Sequence, residues 1–577
     1  MNEQRNLLIA IVLSVLILFG FQWMFPKAPP PAPATDTAAT SSSAPPVPEG
    51  AKTDVAPAAP AKVQTPAETR AGALEASRRI AIRTPKLHGS IALTGARLDD
   101  LTLVEYRETT DPNSPEIVLL SPAGSPHPYY AEFGWVPADG AAKVPGSDTV
   151  WTAAPGTGEL VPGGKAVLSW DNGDGLRFVR TYSVDENYMF SVEQRVENYG
   201  GAPVTLHPYG LISRTGTPKT EGMYILHEGP LGVLDGTLKE LSYDDLRKDG
   251  TVREKTVGGW AGITDKYWLT ALVPDQKVET TGRFVHQNRA NGDHYQVDFT
   301  GGAVTVAPNA SADANFRMFA GAKQVTLLDG YSEKLGIARF DLAIDFGWFY
   351  FLTKPFFYLL QMLHSALGNM GLAILALTVL IKAAMFPLAN KSYVSMSKMK
   401  NLQPEMKKLQ ERFAGDKMRL QQEMMALYKK EKVNPVSGCL PMLVQIPVFF
   451  ALYKVLFVAI EMRHAPFYGW VHDLSAPDPT TIFNLFGLIP WDANAVLPSF
   501  LHLGVWPLIM GATMWLQQKL NPQPTDPVQA KMMSFLPIVF TFLLANFAAG
   551  LVIYWAWSNA LSILQQWLIM RKAGAKS

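Results

Sequence analysis

Long apolar segments and short alternating segments divide this chain into two kinds of sequence. Residues 7–25 are apolar over 19 positions without a charge, and about 20 such residues form a helix that crosses roughly 30 Å of hydrocarbon. A cleaved signal peptide would have a shorter apolar core and a small-residue cleavage site, whereas FQWMFP ends this segment. The pattern favours an uncleaved anchor. Further apolar segments predict five more spanning helices, at 369–390, 438–460, 499–517 and two within 532–570, the last two joined by a tight turn at 548–550.

A linker and a β-rich region lie between the anchor and the later spans. In residues 28–60, 19 of 33 are Ala or Pro, and such a composition buries too little apolar surface to fold, so 27–72 are predicted to be a disordered linker. From 73 to 341, segments such as RFVRTYSV and MFSVEQRVEN alternate apolar and polar residues between turns rich in Gly, Asn and Asp. This pattern predicts a large antiparallel β-sandwich. Its six histidines are scattered, without the spacing of metal ligands.

An aromatic-rich segment connects the β region to the second span. Eight aromatic residues fall between 346 and 358, a density typical of the membrane–water interface. We predict an amphipathic helix at 342–368 that lies on the membrane surface, with its first turn near Pro355. Another spanning helix is the alternative.

The charged residues assign the loops to opposite sides of the membrane. Residues 391–432 carry eleven Lys and Arg against five Asp and Glu, whereas 461–499 carry one basic residue against four acidic ones. By the positive-inside rule the first loop and the basic tail 571–577 are cytoplasmic, and the second loop is outside. Six spans then place the N-terminus inside and the β region outside. The net charge of +1 indicates no acidic partner, and the single cysteine, Cys439, excludes an intramolecular disulfide framework.

The cytoplasmic loop has the pattern of a helical hairpin. Apolar residues recur at steps of three and four on each side of a break at 414–416: Met399, Leu402, Met406, Leu409, Phe413, Leu420, Met424 and Leu427. Pro404 is expected to kink or restart the first helix. Met418 and Met425 fit this seam less well, and with Lys407 and Lys408 they form a basic, methionine-rich surface. Such a surface suits anionic lipid, ribosomal RNA or hydrophobic client segments; a solvated face is the alternative.

One lysine interrupts the second span. Lys382 lies in LTVLIKAAMFP, where an ammonium costs roughly 3 kcal/mol. At a rise of about 1.5 Å per residue, Gln445 of the third span reaches a similar depth, and Thr378 shares a helix face with Lys382. Ser558 adds a polar group from the last span, and no span contains an acid that would neutralise the lysine. We interpret the group as a hydrated, positively charged cavity open to the cytoplasm; snorkelling of the lysine is the alternative.

Four long motifs resemble a known family. They are KAAMFPLANKSYVSMSKMKNLQPEMKKLQERF, QQEMMALYKKEKVNPVSGCLPMLVQIPVFFALY, EMRHAPFYGWVHDLSAPDP and GLVIYWAWSN, and they are similar to the YidC membrane protein insertase family of Gram-negative bacteria. The order of segments matches that family over the whole chain. The resemblance implies insertion and folding of inner-membrane proteins, alone or beside the Sec translocon, and a β domain with a sugar-binding-like supersandwich fold. It implies no enzymatic step, cofactor or metal.

The resemblance also implies which residues line a substrate groove. The family carries a cationic residue, usually arginine, at the position of Lys382; lysine keeps the charge but lacks the planar fork of donors. Polar or aromatic groove residues stand at the positions of Thr378, Gln445 and Trp555. A tyrosine is common at the last of these, and here Tyr554 precedes Trp555. The expected groove residues are Lys382, Thr378, Gln445, Trp555, Tyr554 and Ser558, and the expected client or ribosome contacts of the hairpin are Met399, Lys407, Lys408, Met418 and Met425.

These features predict a polytopic α-helical membrane protein with six transmembrane helices and a large periplasmic all-β domain. The expected segments are the anchor 1–26, linker 27–72, β domain 73–341, interfacial helix 342–368, second span 369–390, cytoplasmic hairpin 391–437, third span 438–460, periplasmic loop 461–498, fourth span 499–517, cytoplasmic loop 518–531, last two spans 532–570 and basic tail 571–577. Expected partners are nascent inner-membrane proteins, the Sec translocon and its accessory subunits, the ribosome or signal recognition particle, and the phospholipid bilayer, with the protein acting as a monomer.

Two other functions fit parts of the sequence. A transporter or channel needs a path open to both sides, and the apolar outer halves of the spans disfavour one. A membrane protease with a serine–lysine dyad would use Lys382 as general base for Ser558 or Ser562.

Overall fold

The computed structural model of the chain describes residues 69–220, 226–290, 292–413, 415–431, 433, 440–489, 502–521 and 527–572. The predicted anchor, nearly all of the predicted linker and most of the basic tail lie outside the described residues. So do Cys439, parts of the loops 461–498 and 518–531, and the start of the predicted fourth span.

Two antiparallel sheets form the N-terminal half of the described chain. Among the described residues, one sheet has ten strands in the order β1-β2-β3-β5-β10-β17-β16-β13, with β4 added on β3 and β18 on β10, and the other has nine in the order β12-β11-β14-β15-β19-β9-β8-β7-β6. The strands are Arg79–Arg83 (β1), Leu87–Ala92 (β2), Leu98–Arg107 (β3), Glu116–Leu120 (β4), Tyr129–Pro137 (β5), Thr152–Ala153 (β6), Ala166–Asp171 (β7), Leu176–Val184 (β8), Met189–Asn198 (β9), Val204–Thr215 (β10), Gly229–Leu234 (β11), Thr237–Glu240 (β12), Thr251–Val257 (β13), Trp260–Thr264 (β14), Trp268–Pro274 (β15), Glu279–Arg289 (β16), Gly292–Gly301 (β17), Val304–Val306 (β18) and Ala310–Ala322 (β19).

The alternation of the sequence decides which faces of the strands are buried. Along β8, every second side chain from Leu176 to Val184 is buried, as the pattern RFVRTYSV predicts. The buried faces of the two sheets meet in one core, where the ring of Phe133 from β5 lies 6.4 Å from that of Tyr182 on β8 and 6.0 Å from that of Phe316 on β19. The predicted large antiparallel β domain is therefore confirmed.

The rest of the described chain is helical. The α-helices within the described residues are Arg70–Glu75 (α1), Tyr243–Asp249 (α2), Val325–Leu335 (α3), Tyr350–Leu367 (α4), Met370–Ala384 (α5), Phe386–Arg412 (α6), Lys417–Lys430 (α7), Leu440–Val458 (α8), Val505–Leu520 (α9), Pro527–Leu544 (α10) and Ala549–Lys572 (α11). Short 3-10 turns lie at Phe340–Ala343, Ile460–Met462 and Ile482–Gly487. Helix α6 runs continuously through Pro404, where a kink or restart was predicted.

The described helices, taken one at a time, fall short of the length and hydropathy of a membrane span. In the described part of the chain, a length and composition test finds no single helix that could cross a bilayer, and only α5 and α6, bent by 66° at their junction, pass it together.

Two predicted boundaries are wrong. Helix α4 begins at Tyr350 and contains Pro355, because the amides of Leu352 and Thr353 already form a turn by donating to the oxygen of Phe349. The predicted turn at 548–550 is displaced, since α11 begins at Ala549. The amides of Ala549 and Gly550 donate to the main-chain oxygens of Ala476 and Leu474 in the loop that follows α8, which satisfies two free N–H groups of the helix start.

Candidate functional site

Three helices bring a chain of polar side chains together around Lys382. Its ammonium on α5 donates to Oγ of Ser562 on α11 at 2.8 Å and lies 3.5 Å from Oε1 of Gln445 on α8. The amide of Gln445 donates to the phenol oxygen of Tyr554 on α11 at 2.8 Å. These contacts connect Ser562, Lys382, Gln445 and Tyr554, which come from three helices far apart in sequence, in one series of polar side chains.

The face that α11 presents to this network follows from its sequence. Tyr554, Ser558, Ser562 and Gln566 recur every four residues, so they share one side of the helix, and all four are buried. The hydroxyl of Ser562 donates to the main-chain oxygen of Ser558 at 2.8 Å, which leaves its oxygen free to accept from the lysine. The set of predicted groove residues lacked Ser562, although this four-residue spacing marks it.

Four of the six predicted groove residues meet here, and two do not. Lys382, Gln445, Tyr554 and Ser558 belong to the network. The hydroxyl of Thr378 instead donates to the oxygen of Ile374 on its own helix at 2.7 Å. Trp555 lies on another side of α11, where its ring is 4.5 Å from that of Phe449 and 6.2 Å from that of Phe540.

The site is polar but carries one sign of charge. Both partners that the described residues supply to the Lys382 ammonium are neutral, so its charge is solvated by dipoles alone. Two buried atoms of α11, Nδ2 of Asn559 and Oε1 of Gln566, have no hydrogen-bond partner among the described residues. Buried polar groups require partners, and these two leave room for bonds to water or to another molecule.

The geometry at Ser562 bears on the protease alternative. A serine–lysine dyad needs a neutral lysine that accepts the hydroxyl proton. Here Oγ of Ser562 lies 2.8 Å from the main-chain oxygen of Ser558 and 2.8 Å from Nζ of Lys382. The main-chain oxygen of Ser558 therefore offers the hydroxyl proton an acceptor other than the lysine.

The predicted cytoplasmic hairpin forms from α6 and α7. Met406 and Leu427 of its seam are buried, and the hydroxyl of Tyr428 contacts Sδ of Met406 at 3.8 Å. Met418 and Met425 are exposed, as their position off the seam predicts, and with Gln421, Gln422, Ala426 and Lys429 they line a shallow groove of about 470 Å³. Met399 is half-buried, and Lys407 and Lys408 are exposed.

Sequence reasoning missed a second lysine in an apolar helix. Lys454 lies nine residues after Gln445 on α8, in the half of the third span that was described as strongly apolar. Its ammonium donates to Oδ2 of Asp345 at 2.7 Å, and the lysine is only 9% exposed. The carboxylate comes from the segment before α4, so no pattern within the spans could identify it.

Comparisons with known proteins agree with this architecture. Residues 79–359 match the family model described as the YidC periplasmic domain, and residues 362–576 match that of the 60Kd inner membrane protein. The chain is 51% identical to the membrane protein insertase YidC of Bradyrhizobium diazoefficiens, over 100% of this chain and 97% of the relative. It is 52% identical to the membrane protein insertase YidC of Methylobacterium nodulans, over 100% and 96%.

A solved structure is also similar. The crystal structure of an active YidC insertase with its first transmembrane domain matches 84% of this chain and 91% of its own, at 16% identity and a TM-score of 0.34. The two family models divide the chain as the fold does, into a periplasmic β domain and a helical inner-membrane region. With half of its residues identical to those relatives over its full length, the chain belongs to the YidC family of bacterial membrane protein insertases.

Proposed function

We propose that this insertase receives the polar, often acidic, translocated segment of a client at the Lys382 network. The observation that supports the proposal is an ammonium among three apolar helices whose partners are neutral. At 4 Å and an effective dielectric constant near 20, a carboxylate would gain about 4 kcal/mol from this ammonium before desolvation is counted. The gain offsets part of the cost of moving an acidic segment into the bilayer.

The proposed path shortens the hydrocarbon that the segment must cross. The segment enters from the cytoplasm, binds at Lys382 and Gln445, and then passes outward while the apolar helix of the client leaves sideways along the third and fifth spans. Transfer of that helix into lipid supplies the driving force, since about 0.8 kcal/mol accompanies each buried CH₂. No nucleotide or covalent step is required.

The proposed topology has six spans, with both termini in the cytoplasm and the β domain in the periplasm. It is supported by the basic loop 391–432 against the acidic loop 461–499. It is also supported by α8, which carries Gln445 near one end and the ion pair to the link before α4 near the other. In this topology Lys382 lies one turn before the bend at Met385 that leads into the cytoplasmic hairpin.

The proposed partners follow from exposed surfaces. The groove beside Met418 and Met425 is also lined by the basic side chain of Lys429, which suits a nascent client, the ribosome or the signal recognition particle. We also assign the Sec translocon with its accessory subunits as a partner, and the protein acts as a monomer in the bilayer.

Insertion into reconstituted vesicles tests the proposal. Wild type, Lys382→Arg and Lys382→Ala are compared on one client with an acidic translocated tail and on the same client with a neutral tail. Lys382→Ala is expected to slow the acidic client roughly tenfold, which corresponds to 1.4 kcal/mol, and to affect the neutral client little. Lys382→Arg is expected to retain activity on both, because it keeps the charge. Equal insertion of both clients by all three proteins would contradict the proposal.

One further variant separates the insertase from the protease alternative. Ser558→Ala combined with Ser562→Ala removes both serines that could act as a nucleophile. Insertion that persists in this variant excludes serine catalysis as its basis, whereas cleavage of the client by wild type that is absent from this variant would favour a protease.

A further inference from the structure

A buried ion pair joins α8 to the β domain side of the molecule. The ammonium of Lys454 donates to Oδ2 of Asp345 at 2.7 Å and lies 3.3 Å from the main-chain oxygen of the same residue. Asp345 belongs to the link between the 3-10 turn Phe340–Ala343 and helix α4. Most of both side chains is withdrawn from solvent, so the pair is a specific contact and not a surface charge pair.

The link is shaped to hold this carboxylate. The amide of Gly347 donates to Oδ1 of Asp345 at 2.9 Å, and the amide of His227 on the β domain lies 3.4 Å from Oδ2. Gly347 has a φ of +72°, and a Cβ atom there would lie 2.9 Å from Cε of Lys454. Glycine therefore permits both the turn that presents Asp345 and the close passage of the lysine stem.

The ion pair and the groove lie on opposite faces and opposite ends of α8. Gln445 precedes Lys454 by nine residues, which is about 14 Å along the axis and about half a turn in net rotation. A helix held by polar contacts at both ends, one on each face, is fixed in depth and in rotation. Pro447 lies between the two contacts and removes one backbone hydrogen bond. The helix backbone alone therefore does not fix the relative positions of Gln445 and Lys454.

We propose that Lys454 is a positioning residue that, through Asp345, sets the rotation and depth of α8 so that Gln445 meets Lys382 and Tyr554. This inference rests on the proposed role of the groove. It implies that the ion pair at the junction with the β domain determines where Gln445 lies in the groove. Ring contacts run along α8 between the two polar contacts, since Phe449 lies 6.1 Å from Tyr453, and Phe449 also lies 4.5 Å from Trp555 of α11.

Thiol cross-linking across the groove tests the inference without a client. Gln445→Cys and Tyr554→Cys are placed on α8 and α11 in a Cys439→Ser background and bridged with a short bifunctional methanethiosulfonate in the full chain. Lys454→Met is expected to lower the cross-linking rate at least about threefold, because removal of one partner leaves the other charge buried and displaces the helix. Lys454→Arg is expected to retain most of the rate.

Two further variants make the result specific. The charge exchange Lys454→Asp with Asp345→Lys is expected to restore cross-linking. Lys354→Met is the matched control, since Lys354 joins α4 to the β domain through Asp329 at 2.8 Å and Asp341 at 2.9 Å without an ion pair to α8; its rate should stay near wild type. An unchanged rate in folded Lys454→Met protein, or equal losses in Lys454→Met and Lys354→Met, would overturn the inference.

The insertion assay separates this inference from the proposed function. If Lys382 variants lose client selectivity and Lys454→Met lowers insertion of the acidic client as well as cross-linking, both hold. If cross-linking depends on Lys454 while the Lys382 variants insert both clients equally, the helix is positioned as inferred but the groove does not act through charge, and the proposed function fails alone.

Discussion

Lys454 and Lys382 each place an ammonium in an apolar helix, but the groups that compensate the two charges differ. Lys454 has a carboxylate at 2.7 Å, whereas Lys382 is surrounded by a serine hydroxyl and an amide oxygen. An ion pair satisfies the ammonium within the molecule, while neutral dipoles leave its field unbalanced. The first lysine is therefore suited to hold the structure together and the second to attract an acidic group from outside.

The buried histidine His294 makes the β domain sensitive to acid. His294 is buried, with Nε2 2.9 Å from Oγ of Ser213 and Nδ1 3.0 Å from Oγ1 of Thr215, and burial lowers its pKa to about 4. The folded pKa lies below the ordinary value of 6.5, so the unfolded chain binds the proton first. Stability from this group is present above pH 6.5 and is lost as the pH falls towards 4, by about 3 kcal/mol in all.

Denaturant unfolding of the full chain between pH 7.5 and pH 4 measures this effect. His294→Gln is expected to show a shallower loss of unfolding free energy over this interval than wild type. His127→Gln, at an exposed histidine, should follow wild type. Parallel pH profiles for wild type and His294→Gln would contradict the assignment.

Residue chemistry was predictable where the signal lies within one helix. The charge of Lys382 in an apolar run and the polar groups Gln445 and Ser558 could be identified from the residue pattern, whereas Tyr554 was expected only from the family resemblance. Ser562 was missed as the direct partner, because a spacing of four residues identifies a face but not which hydroxyl lies at the right height. Trp555 packs with rings elsewhere, because adjacent residues on a helix point about 100° apart.

At the scale of elements, loop residues determine where helices begin. Gly504 precedes α9 and has no side chain to cap it, and Oδ2 of Asp478 accepts the amide of Trp506 at 2.9 Å instead. The hydroxyl of Thr480 accepts the amide of Val505 at 3.0 Å. Asp478 is one of the acidic residues that led us to predict loop 461–498 on the outer side, but its carboxylate also provides the cap of a helix.

Replacement of this cap tests its contribution. Asp478→Ala is expected to lower the free energy of unfolding by about 1–2 kcal/mol, because it leaves the half-buried amide of Trp506 at the helix start without its acceptor. Asp478→Asn should lose less, since its oxygen can still accept. The measurement is chemical unfolding in detergent, with the exposed Asp148→Ala as the control; a loss no larger than in that control would show that α9 does not depend on Asp478.

Element types were easier to predict than their ends. Alternation gave the strands, and steps of three and four gave α6 and α7, because burial follows these periods directly. The start of α4 before Pro355 and the start of α11 at Ala549 were missed, since they depend on hydrogen bonds that the local sequence does not reveal. The bend of 66° between α5 and α6 was not predicted either.

At the scale of the whole molecule, basic side chains join the β domain to the helical region. Lys354 pairs with Asp329 and Asp341, and Arg463 after α8 donates to the main-chain oxygen of Arg107 on β3. These contacts join segments far apart in the chain. The two-part architecture was therefore predictable from hydropathy and charge, whereas the junction between the parts was not.

The central claim is that the translocated segment of a client passes Lys382. Trapping that segment in transit tests it most directly. Gln565 is half-buried, and its amide lies 3.5 Å from the main-chain oxygen of Lys382, so Gln565→Cys in a Cys439→Ser background places a thiol beside the lysine. A client with one cysteine in its acidic tail is inserted under mild oxidation, with Leu543→Cys on the exposed side of α10 as the matched control.

A disulfide with position 565 is expected when the oxidant is added during insertion and not when it is added after insertion is complete, and it should form faster with the acidic tail than with a neutral one. Position 543 should form little disulfide with the tail at any time. Trapping that is equal at both positions, or found only at 543, would contradict passage through the Lys382 network.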